Sequence, residues 1–214
     1  MINKIVSSIA EALEGVKDGS VVLIGGFGAV GQPDALIEGL IEQGARDLVA
    51  VLNNAGTGRV GVAKLMELGR VRKVVCSFPR SQGSVVFEEL YREGRIELEI
   101  VPQGTLAERM RAAAAGIPAF YTATAAGTLL ERGKETREFE GRRYVMERAL
   151  KGDVALVEAW EADRWGNLAG IVSQSDLVAA LLAAEGFHCT LLDWPGFGDS
   201  ERPRLDYGPA LFRD

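Results

Sequence analysis

Histidine occurs once in this chain, at His188, and cysteine twice, at Cys76 and Cys189. A single histidine excludes any metal centre that needs two imidazoles, no metal-ligand spacing is present, and no metal site is expected. Two cysteines do not make a disulfide framework, and Cys76, set in an apolar run, reads as a small buried hydrophobe. No Lys/Arg run stands out, and the 24 basic against 30 acidic residues leave a net charge of −6. A surface of that sign repels nucleic acid, which argues against a DNA or RNA reader. No stretch approaches 18 uninterrupted apolar residues, which argues against a membrane span. The opening MINKIVSSIAEALEG carries acids within an amphipathic pattern, unlike a signal peptide, so the expected compartment is the cytoplasm.

What the chain does have is an ordinary globular composition, 47% apolar and 25% charged over 214 residues. That is one domain or a little more, and it argues against a disordered, repeat or fibrous chain. Glycine is in excess, at 26 residues against a usual share of about 7%, which points to tight turns or to backbone approached closely by a ligand.

The order of patterns is β-α-β-α, the signature of a mostly parallel sheet flanked by helices. Ile5, Ile9, Leu13 and Val16 recur at helical spacing and predict a helix over 3–15. Val21 to Ile24 reads as a strand buried on both faces. A glycine loop follows, then a helix opening at Pro33 and closing at Gly44. Leu48 to Leu52 and Val74 to Cys76 are further strands, with helices over 60–68 and 84–93 closed by Gly69 and Gly94. Ile96, Leu98 and Ile100 alternate with Glu97 and Glu99, so this strand has one wet face or lies near an edge. Thr105 and Glu108 suggest a capping box for a helix through Ala115. Beyond Gly116, strands are expected at 119–122, 135–139, 143–146 and 153–160. Glu140-Gly141 turns two of them into a small antiparallel hairpin, and a turn follows at 163–167.

Four successive strands end in loops of special composition: GGFGAVGQP, NNAG, SFPR and PQG. Ligands of open parallel sheets bind outside the carboxyl ends of the strands, so four such loops on one edge predict a crevice. Gly26 to Gly31 fits G-x-G-x-x-G, the dinucleotide fingerprint. The fingerprint fails in its second half, because Asn53 and Asn54 stand where a nicotinamide site needs an acid for the ribose.

These same loops carry a resemblance. Asp18 to Pro33, DGSVVLIGGFGAVGQP, is similar throughout to the first signature of the family I coenzyme A transferases. NNAG at 53–56, VPQGTLAERMRAAAAGIPAFYT at 101–122, GKETREFEGRRYVMERAL at 133–150 and GDVALVEAWEADRWGNL at 152–168 resemble the same family's A (alpha) subunits. The resemblance runs from about residue 3 to 168 and lies nearest the 3-oxoadipate and 3-oxoacid branch. It implies a CoA-transferase-like α/β fold and transfer of CoA between an acyl-CoA, such as succinyl-CoA, and a 3-oxoacid. The CoA thioester is then a substrate, and no further cofactor is implied. The family's nucleophile is a B-subunit glutamate. It attacks the thioester to give an acyl-enzyme anhydride and then a glutamyl-CoA thioester, so this chain is expected to need a B-subunit partner.

By the same resemblance, Gln103 maps to an amide that donates to the oxyanion of the tetrahedral intermediate. Asn53 and Asn54 map to amides near thioester and acceptor, and Gly25, Gly26, Phe27, Gly28 and Gly31 form the loop that brings backbone to the acyl group. Amides also suit the chemistry independently, because they bind thioester oxygen without a charge that repels an incoming carboxylate. The plain alternatives are a helix-start residue before a Thr105 cap for Gln103 and left-handed turn residues for Asn53 and Asn54. Arg80 reads as an exposed solvated arginine in preference to a carboxylate ligand. After Leu168 the sequence departs from the family, and TLLDWPGFGDSERP at 190–203 resembles an α/β-hydrolase loop without its G-x-S-x-G elbow. A transferase domain over 1–168 and a divergent tail over 169–214 are expected. In the tail, a substitute helix is expected over 170–185 and a loosely held segment over 193–214. The competing readings are a nicotinamide-dependent oxidoreductase, favoured by the fingerprint alone, and a non-catalytic binding protein.

Overall fold

The computed structural model describes residues 3–28, 30–80 and 83–169. The expectations for the tail, His188 and Cys189 included, lie outside the described residues. In chain order come α1 (Ile9–Ala12), β1 (Val21–Ile24), α2 (Asp34–Gln43), β2 (Leu48–Asn54) and α3 (Gly61–Glu67). Then follow β3 (Val71–Phe78), α4 (Val85–Arg92), β4 (Glu97–Ile100) and α5 (Gln103–Ala114). The remaining strands are β5 (Ala119–Thr122), β6 (Thr136–Phe139), β7 (Arg142–Arg148), β8 (Val154–Leu156), β9 (Glu161–Ala162) and β10 (Leu168–Ala169).

Five strands form one all-parallel sheet in the order β4-β3-β2-β1-β8. Side chains alternate between its two faces, as strand geometry requires. Val22, Ile24, Ala50, Leu52, Val74 and Cys76 join the core made with α1 to α4. Leu23, Val49, Val51 and Val75 join a second core under Leu106 and Met110 of α5. With both faces covered, β2 is buried along its whole length, which is why Leu48 to Leu52 is a continuous apolar run. β4 takes the edge, where its alternating glutamates can reach water.

The antiparallel part is a three-stranded sheet, β5-β7-β6. Its hairpin turns at Glu140 (φ 51°) and Gly141 (φ 73°), between the paired Phe139 and Arg142. Two successive positive φ values are those of a type I′ turn, whose twist matches the strands it joins. A smaller hairpin, β9 with β10, closes around Asp163, whose carboxylate accepts from the N–H groups of Trp165 and Asn167 at 2.9 Å.

Three local expectations are corrected. The helix over 3–15 is confined to α1, although Leu13 and Val16 are buried as their spacing requires. The Ser8 hydroxyl caps it by accepting from the Glu11 N–H at 3.1 Å, and Ser7 donates from backbone and hydroxyl to the Glu11 carboxylate. These local bonds compete with a longer helix. Thr105 is not a cap: α5 begins at Gln103 behind Pro102 with no side-chain cap. Thr105 is buried in its first turn, and Glu108 pairs with Arg111. The strand expected over 153–160 is regular only over β8.

An ion-paired triad ties the edge of the sheet to α5. Glu99 accepts from Lys73 at 2.5 Å and from Arg109 at 2.7 Å, and Arg109 also donates to the Arg148 carbonyl at 2.8 Å. Burial raises the Glu99 pKa, but hydrogen bonds from Arg109 and Lys73 outweigh it and hold the carboxyl below its ordinary value.

Within the loop after β1, Gly26 has φ 104°, and a Cβ there would stand 2.9 Å from Gln32 Cγ, 3.0 Å from Gln32 N and 3.1 Å from Gln32 Cα. Gly28 also has positive φ, 67°, but open space around it. Gly26 is therefore demanded twice, by backbone conformation and by the close approach of Gln32, and Gly28 by conformation alone.

Two outcomes follow for stability. Gly26→Ala should cost about 2–3 kcal/mol in urea unfolding and Gly28→Ala only about 1 kcal/mol; equal losses would contradict the Gln32 contact. Arg109→Ala should cost about 1–2 kcal/mol at pH 7, the lower part of the charge-assisted range, since Glu99 keeps 35% of its side chain exposed. A carboxyl with a depressed folded pKa stabilises above its unfolded value of about 4.3 and loses that contribution as pH falls through the folded value. The acid limb of a stability–pH profile should therefore flatten in Arg109→Ala.

Candidate active site

The chain runs β1, β2, β3, β4 in one direction across the sheet and places β8 on the other side of β1. That reversal is a topological switch point, and the carboxyl ends of β1 and β2 open beside it. Three side chains meet there. Asn53, 7% exposed on β2, accepts on Oδ1 from Gln103 Nε2 at 2.9 Å and from Ser77 Oγ at 2.7 Å. The Ser77 hydroxyl lies 3.0 Å from the Asn53 carbonyl oxygen as well.

Backbone register makes this meeting. Leu52 pairs with Cys76 and Asn54 with Phe78, so Asn53 and Ser77 are directly opposite. The Val101 N–H donates to the Cys76 carbonyl at 3.0 Å, which carries the β3–β4 pairing past the end of β4. Pro102 then turns the chain into α5 with Gln103 as its first residue. The first-turn N–H groups of Gln103 and Gly104 have no intrahelical acceptor, so the positive end of α5 faces the crevice.

Asn53 and Asn54 are strand residues, and neither has a positive φ. The turn alternative for them is thereby removed. Asn54 looks the other way from Asn53: its Oδ1 accepts from the Gly28 N–H at 3.1 Å. Gln32 Nε2 donates to the Gly28 carbonyl at 2.6 Å. Phe27 and Val30 exchange backbone hydrogen bonds at 2.9 and 3.1 Å, so the loop is a closed turn with both side chains largely exposed. Gly25 donates to the Leu156 carbonyl at 2.9 Å, and Gly31, with φ 67°, is buried behind the turn.

A cavity of about 170 Å³ opens between the ends of β1 and β2 and the start of α5, with Leu23, Gly25, Asn53, Gln103, Leu106 and Met110 in its wall. It is smaller than the roughly 300–1,000 Å³ of sites for larger ligands, a size for a short acyl chain. Among the described residues, no ionisable side chain lines it. Its polar groups are amides, which can donate to a developing negative charge but can neither attack a carbonyl nor take up a proton at neutral pH.

Other candidates fall away from this centre. Cys76 is fully buried, and burial pushes its thiol up to about 12, so it is protonated and inert at neutral pH. Arg80, with 75% of its side chain exposed, donates to both oxygens of Glu88 at 2.8 and 3.1 Å, as an exposed solvated arginine does. A dinucleotide site is not formed, because a closed turn separates β1 from α2 and Asp34 puts an acid in the first turn of that helix. Among the described residues there is no group of three His, Cys, Asp or Glu side chains able to hold a metal ion, and no helix is long and apolar enough to cross a membrane. Ser77 is the residue that sequence reasoning missed. The signal was a hydroxyl ending an apolar strand, one step past Cys76.

The family model for coenzyme A transferases matches residues 6–184. Over 168 residues the chain is 60% identical to the A-type subunit of the 3-oxoadipate CoA-transferase of Pseudomonas putida, covering 78% of this chain and 73% of that protein. Over 167 residues it is 43% identical to the A-type subunit of the succinyl-CoA:3-ketoacid coenzyme A transferase of Helicobacter pylori, covering 78% and 71%. Among solved structures, the acyl-CoA transferase YdiF of Escherichia coli matches with a TM-score of 0.75 at 22% identity, over 86% of this chain and 40% of that one. The glutaconate coenzyme A-transferase of Acidaminococcus fermentans matches with a TM-score of 0.71 at 18% identity, over 82% and 63%. The chain thus spans about two fifths of YdiF, and these structures bear on the fold alone. With the parallel sheet, the switch-point crevice and the sequence relatives in agreement, this chain belongs to the coenzyme A transferase family.

Proposed function

We propose that this chain is the A-type subunit of a two-subunit CoA transferase that moves CoA from an acyl-CoA, such as succinyl-CoA, to a 3-oxoacid, 3-oxoadipate or acetoacetate. The observation that carries the reading is the Asn53–Gln103 amide pair in a crevice with no ionisable group among its described lining residues. Such a crevice supplies one half of an acyl-transfer site. The other half, a glutamate nucleophile, belongs to the B subunit. The relatives named above are themselves A-type subunits by name, which supports a partner for this chain too. The reading carries with it a cytoplasmic location, a transferase domain over 1–168 and no cofactor besides the CoA thioester substrate.

The partner's glutamate carboxylate adds to the thioester carbonyl carbon, and the carbonyl oxygen becomes an oxyanion. Gln103 Nε2 has two protons; one is held by Asn53 Oδ1 at 2.9 Å, and the second donates to the oxyanion. Collapse expels CoA thiolate and leaves a mixed anhydride. The thiolate then attacks the glutamyl carbonyl, which releases the donor acid and leaves glutamyl-CoA. The acceptor carboxylate takes over the CoA by the same steps in reverse. The backbone of Gly25 and Gly26, with the closed turn of Phe27 to Gly28 and Gly31 behind it, walls the acyl chain. Asn54 acts on that loop through Gly28. An amide donor stabilises the oxyanion in a dry, uncharged wall, where it is worth most.

The purified chain should show no transfer of CoA from succinyl-CoA to 3-oxoadipate, and activity should appear on adding a cognate B subunit. Turnover by the chain alone, free of partner, would overturn the division of labour. In the assembled enzyme, Gln103→Ala should lower kcat by about 10²–10³ and change KM by less than about threefold. A kcat within about threefold of the parent would reduce Gln103 to a helix-start residue.

A further inference from the structure

Ser77 touches the Asn53 side chain and backbone and has no part in the chemistry above. We propose that Ser77 is a positioning residue: its hydroxyl fixes which edge of the Asn53 amide meets Gln103, and thereby the direction in which Gln103 donates. The inference rests on the proposed function for its catalytic meaning and on geometry for everything else.

A carboxamide has nearly the same shape with its oxygen and nitrogen exchanged, so packing alone does not choose between the two orientations. Hydrogen-bond partners choose. Asn53 Oδ1 accepts two bonds, from Ser77 Oγ at 2.7 Å and Gln103 Nε2 at 2.9 Å. Turning the Asn53 amide over would set its N–H₂ against the N–H₂ of Gln103. Two donors would face each other, and Gln103 would lose its bond or turn over as well. In either case Nε2 leaves its present direction. The Ser77 hydroxyl stands against this: its one proton goes to Oδ1 at 2.7 Å, and a turned amide would make it give that proton to the more distant Asn53 carbonyl oxygen at 3.0 Å and accept from the amide nitrogen instead.

The backbone holds Ser77 to that task. It lies directly across β2–β3 from Asn53, and its neighbour Cys76 is locked in the core with no exposure. The Ser77 backbone therefore cannot move away without shifting a packed strand, and the hydroxyl is held on Asn53 by its hydrogen bond. A crevice with no charged side chain among its described lining residues orients its amides through neutral partners of this kind.

Kinetics and amide exchange together test the assignment. In the assembled enzyme, Ser77→Ala should lower kcat about 10- to 30-fold with KM within twofold, Ser77→Thr should stay within threefold of the parent, and Ser77→Ala should cost nothing further in an Asn53→Ala background. In the full chain alone, followed by ¹⁵N NMR, Ser77→Ala should speed proton exchange of the Gln103 side-chain amide at least fivefold, with Ser77→Thr unchanged. A Ser77→Ala kcat within twofold of the parent, an equal loss in the Asn53→Ala background, or unaltered exchange would overturn the proposal. Should the parent pair show no transferase activity, the functional reading fails separately and the exchange rates still decide for or against Ser77.

Discussion

The side-chain oxygen of Asn53 is where three elements of the fold are held together at the crevice. It joins β2, which carries it, β3 through Ser77, and α5 through Gln103. An acceptor 7% exposed is stable only with partners, since an unmatched buried amide costs roughly 1–3 kcal/mol. The parallel register of β2 on β3 brings Ser77 opposite, and the β3–β4 pairing carried past Ile100 brings Gln103 alongside. The geometry of the site is thus a consequence of sheet pairing. Any change that slips β3 by one residue replaces the hydroxyl beside Asn53 with the Cys76 thiol or the Phe78 ring.

Charge is arranged around this centre by exclusion. The strong ion pairs lie elsewhere: Lys73, Glu99 and Arg109 at the β4 edge, and the buried Glu147 with Lys134 at 2.5 Å in the antiparallel part. Glu99 is held ionised by its two cations, and none of the three is among the described residues that line the crevice. The crevice keeps amide dipoles and the uncapped start of α5. Fixed neutral donors attract a developing negative charge without binding a carboxylate substrate so tightly that the ground state gains as much as the transition state.

The sheet was legible in the sequence because its signal is physical and long: strands buried on both faces must be continuous apolar runs, as in Val21 to Ile24 and Leu48 to Leu52, with glycines at the helix ends. The crevice was legible in part, since the loops follow the strands: Gly25, Asn53 and Gln103 of three of the four loops line it, and no residue of SFPR is among its described lining residues. Short-range competition was not. Residues 3–15 have helical periodicity, yet the serines at 7 and 8 and Glu11 satisfy each other locally and start the helix at Ile9. Thr105 and Glu108 have capping-box spacing, but Pro102, with its fixed φ, already starts the helix, and both side chains find other places. Ser77 was invisible as a site residue because its role depends on a cross-strand neighbour, Asn53, 24 positions away. One-dimensional pattern carries periodicity within an element, and register between elements lies beyond it. The resemblance supplied Gln103 and the asparagines, and the structure supplied what holds them.

The lining of the crevice also constrains what must complete it. Acyl transfer needs a group that attacks and a group that stabilises the resulting oxyanion, and these must approach one carbonyl group from different sides. This chain offers amide donors on one wall, with Cys76 buried and protonated and no carboxylate among the described lining residues. Phe27 and Phe78, at the carboxyl ends of β1 and β3, and Trp160, beyond β8, are each about 60% exposed. Apolar rings so exposed are costly to leave in water, and a second surface closing on the crevice side would cover them. Under the proposed function that surface brings the glutamate. On that reading the same closure removes water from the amides, the condition under which Gln103 would stabilise an oxyanion by more than water does.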